Sequence, residues 1–96
     1  MVIAVAKITV HLPECHSLKE KRQVIKSIMA RVRNQFEISI AEVGENELWQ
    51  LADLGMSCVS NDGQHASEVL DHVRRYIEET RPDIVVSAFE TELIHW

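Results

Sequence analysis

Four segments rich in β-branched residues alternate with two stretches that carry apolar side chains at helical spacing, in the order β-α-β-β-α-β. That order predicts an α+β sandwich, two helices on one face of a four-stranded antiparallel sheet, which is the ferredoxin-like arrangement. The 96 residues make a single domain, 1–96, because domains typically run to roughly 100–150 residues. No internal repeat or low-complexity linker divides them.

Residues 1–12 alternate, with Ala4, Ala6, Ile8, Val10 and Leu12 on one face and Ile3, Val5, Lys7, Thr9 and His11 on the other. Pro13 ends this strand, and Ser17 with Glu20 has the spacing of a capping box at a helix start. Leu18, Ile25, Ile28, Met29 and Val32 then form one helical stripe. Phe36, Ile38 and Ile40 alternate through a second strand that ends near Val43-Gly44. The stretch from Glu45 to Asp53 reads as an ordered connection, with Trp49 either an anchor over the end of the core, the preferred reading, or a partner-facing hot spot. Leu54 to Ser60 forms a third strand with Leu54, Met56 and Cys58 inward. Asn61 or Asp62 caps a second helix whose buried stripe is Ala66, Val69, Leu70, Val73 and Ile77. After the Arg81-Pro82-Asp83 turn, Ile84 to Ile94 forms the last strand, with Val85, Phe89 and Leu93 sharing a face.

The stretch Ser17–Arg33 holds six of the ten Lys and Arg residues of an acidic chain of net charge −5, and one acid, Glu20. Lys19, Arg22, Lys26 and Arg33 line up beside the apolar stripe, whereas Lys21 projects from the middle of it. Lys21 must therefore snorkel past the core edge or meet a charged partner. Lys19, Lys21 and Arg22 fall at the positive end of the helix dipole, which disfavours cations and favours a bound anion. The competing reading is a solvated face of an amphipathic helix.

Other classes are excluded or carry little signal. The acidic balance argues against polyanion binding by the whole surface. No apolar run approaches the ~20 residues of a membrane span, and the first ten residues lack a signal-peptide pattern. Cys15 and Cys58 have neither metal nor disulfide spacing, which suits a reduced, cytoplasmic protein. RNA stacking on the sheet, as in RNA-recognition motifs, needs aromatics on the central strands, and the first and third strands have none. His11, Cys15 and His16 cluster in sequence without a second ligand pair, so no metal is expected. Glu90 and Glu92 are spaced like paired catalytic acids and equally like the wet face of a sheet, so no catalytic residue is assigned. No cofactor is expected.

HLPECHSLKEKR (11–22), SIAEVGENELWQLADLG (39–55) and VSND (59–62) together resemble the YlxP-like family of small bacterial proteins, a domain of unknown function. The resemblance spans nearly the whole chain. It implies a ferredoxin-like fold, a cytoplasmic location, and genes lying among those for translation initiation and ribosome maturation, including a ribosome-binding factor. It supplies no catalytic residues. Cys15 and His16 occupy a stretch that varies in the family, and Leu51 stands where the family often has a basic residue.

The leading expectation is a non-enzymatic binding module that contacts RNA or a ribosomal assembly through Ser17, Lys19, Lys21, Arg22, Lys26 and Arg33. The alternative is a small phosphate or acyl-phosphate ligand at the same helix start, as an acylphosphatase-like enzyme would bind it. Against that stands HLPECHS, where acylphosphatases have a glycine-rich loop. Compatible with either, the uncovered sheet face, with Ile3, Val5, Val59, Ile84 and Val86, reads as a surface joining two copies in a homodimer or as β-branched residues scattered on an exposed β surface.

Overall fold

A computed structural model describes residues 1–44 and 47–96. Among these, four strands and two helices follow in the order β1 (Val2–His11), α1 (Leu18–Gln35), β2 (Ser39–Gly44), β3 (Leu51–Ser60), α2 (Gly63–Thr80) and β4 (Val85–His95). The strands form one antiparallel sheet in the order β2-β3-β1-β4, with both helices packed on one face, a ferredoxin-like sandwich. β1 runs through the centre. Its alternation pairs Ile8 with Leu54, Ala6 with Met56 and Ala4 with Cys58 on the buried side. Ile25, Ile28 and Val32 of α1 and Ala66, Leu70, Val73 and Ile77 of α2 close the core from above.

Both helix starts are capped by the side chains their sequences offer. Ser17, in extended conformation, accepts the Glu20 N–H on its Oγ at 3.1 Å. The reciprocal arm of the box reaches one residue further back than usual, as Glu20 Oε2 accepts the His16 N–H at 2.8 Å. Of the two candidates for α2, Asp62 is the cap, and its Oδ1 accepts from Gln64 and His65. α2 ends at Arg81, which donates twice to Asp83 at 2.9 and 2.6 Å. That pairing holds the Asp83 carboxyl below the usual carboxylate range.

Two boundaries differ from the sequence expectation. Phe36 caps α1 instead of opening β2, its N–H bonded to Val32 O and its ring edge-on to Tyr76 at 5.6 Å. β3 starts at Leu51, three residues early, because Leu51, Ala52 and Asp53 pair with His11, Val10 and Thr9. Part of the expected connection, Glu45 and Asn46, lies outside the described residues.

The largest difference lies in β4. The register against β1 shifts between Thr9, opposite Ala88, and Val10, opposite Val86, leaving Ser87 as the extra residue of a bulge. One inserted residue reverses which face every earlier side chain points to. Val86 therefore joins Phe89 against the core, Ile84 is buried at 7% exposure, and Val85 turns to the uncovered face. Ile84 and Val86 do not belong to the open sheet face, and Val85 does not share a face with Phe89.

Lys21 meets a charged partner. It is 1% exposed in the middle of the buried stripe of α1, and its Nζ lies 3.2 Å from Oε2 of Glu42 on β2. Oε2 accepts no directed hydrogen bond among the described residues, so this contact is coulombic. Removing Glu42 takes a carboxylate away from a buried ammonium, which weakens the charge compensation there. Glu42→Ala should cost about 2 kcal/mol in urea unfolding, below the usual figure for full burial because Glu42 keeps some solvent contact. Lys21→Met, which fills the slot without a charge, should cost less, and the reverse ranking would show that the charge is not what holds the two elements together.

Candidate functional site

The residues expected to bind an anion divide into three groups. Lys19, Arg22 and Lys26 are exposed, and among the described residues none of them forms an ion pair. Their positions on α1 put them on one side of the helix, turned away from the stripe that Ile25, Ile28 and Val32 bury. Ser17 and Arg33 are partly committed. The Ser17 hydroxyl takes the Glu20 N–H, and Arg33 Nη2 donates to Ile40 O at 2.8 Å, which ties the far end of the row to β2. Lys21 is withdrawn altogether, since it is buried against Glu42 and no outside phosphate can reach it.

The acid inside the basic stretch does not neutralise these cations. Glu20 lies in the first turn of α1, where the dipole favours a carboxylate, and spends its Oε2 on the His16 N–H. The helix terminus is thus answered from within, while the row of cations beside it stays open to solvent.

Three connections meet at this end of the molecule, where His11 pairs with Leu51 and Val85, and their described residues are 12–17, 47–50 and 81–84. Gln50 joins the first two. Its Nε2 donates to Pro13 O at 3.3 Å and Cys15 O at 3.2 Å, and its carbonyl accepts the Leu12 N–H at 2.9 Å. Trp49, expected to cover the core, is 53% exposed, and Leu48 beside it is 48% exposed. With His11 and Leu51 they line a shallow hollow of about 410 Å³. The anchor of this connection is the amide of Gln50, not the indole next to it. A polar side chain between Trp49 and Leu51 gave no periodic signal, so the sequence did not single it out.

The remaining candidates are dispersed. Cys15 is buried at 5% exposure, whereas His11 and His16 are exposed. Burial pushes the Cys15 thiol up, and the nearby charges of Glu20 and Asp83 raise it further. Glu90 and Glu92 are exposed on the uncovered face of β4. On the same face Asp53 accepts from Thr9 Oγ1 at 2.6 Å. Of the residues expected to join two copies, Ile3, Val5 and Val59 do lie on this face, Val59 at 65% exposure. Among the described residues no helix is long and apolar enough to cross a membrane.

Two consequences can be measured. Trp49→Ala should change unfolding stability by no more than about 0.5 kcal/mol, whereas Gln50→Ala should cost about 1 kcal/mol by releasing the 12–17 connection. A larger loss for the indole would restore it as the anchor. Iodoacetamide should label Cys15 in the native protein only slowly at neutral pH and rapidly in denaturant, because the thiol is both buried and held protonated.

Residues 3–91 match the family described as "Protein of unknown function (DUF503)". The chain is 38% identical over 76 residues to the uncharacterised protein YlxP of Bacillus subtilis (strain 168), a match covering 79% of this chain and 82% of that protein. Among solved structures it is similar to the de novo designed protein Foldit4, with a TM-score of 0.55 at 11% identity, covering 100% of this chain and 99% of the designed one. The latter likeness concerns the fold alone. With a match that runs through both helices and all four strands, the chain belongs to the DUF503 family.

Proposed function

We propose that the protein is a non-enzymatic binding module that docks on the phosphate backbone of structured RNA, as in a ribosomal assembly, through one side of α1. The observation that carries this reading is the row of Lys19, Arg22 and Lys26, exposed and without a carboxylate partner among the described residues of an acidic protein. Cations left solvated on one helix side suit phosphates, which fix position and carry no sequence information. Arg33 extends the row by its remaining donors, and the Ser17 hydroxyl keeps its proton for a phosphate oxygen at the helix start. Lys21 has no part in the contact; it holds the helix to the sheet.

Three or so phosphate contacts give a defined salt dependence. Log affinity for purified ribosomal RNA, measured by filter binding, should fall against log salt with a slope of roughly −2 to −3. Lys19→Glu with Arg22→Glu should abolish retention while leaving the unfolding curve unchanged, since both side chains are exposed. Undiminished retention by the double variant would reject the proposal. Saturable binding of inorganic phosphate to the native protein, with no RNA retention, would favour a small-anion site instead.

A further inference from the structure

β4 is the outermost strand on one side of the sheet, and nine of its eleven residues are exposed. The opposite edge, β2, is six residues long and broken by a register shift between Glu42 and Gly44. On β4 the irregularity falls at its beginning, so Ala88 to His95 run in unbroken register beside Thr9 to Val2. An edge strand presents the N–H and C=O of alternate residues to whatever lies beyond it. Natural edges are commonly blunted by Lys or Pro, and β4 contains neither.

What β4 does carry is a pair of acids. Glu90 and Glu92 sit two residues apart on the uncovered face, with a shallow hollow of about 360 Å³ between them, Val5 and Lys7. Lys7 lies opposite Glu90 in register, yet neither acid forms an ion pair among the described residues. Among those residues Lys7 is the one cation lining this hollow, against two acids, and outside Ser17–Arg33 the chain has a net charge of −10.

This charge decides between occupants. In antiparallel pairing of the unbroken stretch Ala88–His95 with a second copy, the two same-face registers of greatest overlap set Glu90 against Glu92 of the copy, or Glu92 against Glu92 of the copy. Like charges directly opposite are destabilising. Among the described residues the open face carries Asp53, Glu90 and Glu92 against one lysine, Lys7, so stacking two copies would set net negative charge on net negative charge. The homodimer expected from the apolar residues of this face also loses Ile84 and Val86, which lie on the core side. An extended segment with Lys or Arg at alternate positions meets no such opposition.

We propose that β4 accepts a basic, extended segment of another protein as a fifth strand. The partner's alternate cations face Glu90 and Glu92, and its backbone pairs with the free groups of Ala88 to His95. Backbone bonds supply affinity in such strand addition, and the alternate side chains supply selectivity. The proposal is independent of the phosphate contact on α1, which lies on the other side of the sheet.

A ten-residue peptide of alternating lysine and threonine is the probe, and its glutamate–threonine counterpart is the control. Amide hydrogen exchange followed by NMR should show new protection at alternate residues of β4 with the lysine peptide and none with the control. Glu90→Gln with Glu92→Gln should weaken binding at least about tenfold, the loss of two charge-assisted contacts, while the free variant keeps the native spectrum. The proposal is overturned by equal binding of the control, by protection on any other element, or by unchanged affinity of the variant. Failure of the lysine peptide to bind at millimolar concentration, or β4 amides already protected in a dimer that sediments as such, overturns it equally.

Discussion

The rotation of α1 about its own axis is the constraint on which the rest depends, and the buried contact between Lys21 and Glu42 takes part in fixing it. An amphipathic helix can slide or roll a little on an apolar sheet, because hydrophobic contact is non-directional. A buried ammonium cannot roll freely, since moving off its carboxylate would cost coulombic energy in the core. With Lys21 held inward, helical geometry turns Lys19, Arg22 and Lys26 outward. A charge lost to the surface thus sets the orientation of the charges that remain there.

The fold was legible because several kinds of pattern agreed. Period-two alternation in residues 1–12, helical spacing in Ile25, Ile28 and Val32, and caps at Ser17 and Asp62 all point to the same arrangement. The partner of Lys21 was also within reach, because Glu42 has the same parity as Ile38 and Ile40 and so had to face the helices. The bulge at Ser87 was not. Val85, Val86, Ser87 and Ala88 fit a continuous strand as well as a bulged one, and what separates the two is pairing with Thr9 and Val10, a long-range matter. Ile84 and Val86 were assigned to the wrong face for that reason alone.

The candidate site was legible in outline and not in membership. Sequence spacing separates the row of Lys19, Arg22, Lys26 and Arg33 from Lys21, and the position of Lys21 amid apolar residues already marked it as different. Local spacing could not say which groups are spent on the backbone. The Ser17 hydroxyl, the Glu20 carboxylate and one arm of Arg33 all serve the fold first. Trp49 illustrates the opposite error, since an aromatic in a polar connection invites a buried role that its neighbour Gln50 in fact performs through hydrogen bonds.

Those bonds of Gln50 have a mechanical consequence. One amide grips two carbonyls of the segment leading into α1 while its own backbone grips Leu12. The segment that displays Leu48 and Trp49 and the approach to the first turn of α1 are therefore tied to each other. Freeing that one amide would release both segments together while the strand pairing beneath them stays as it is.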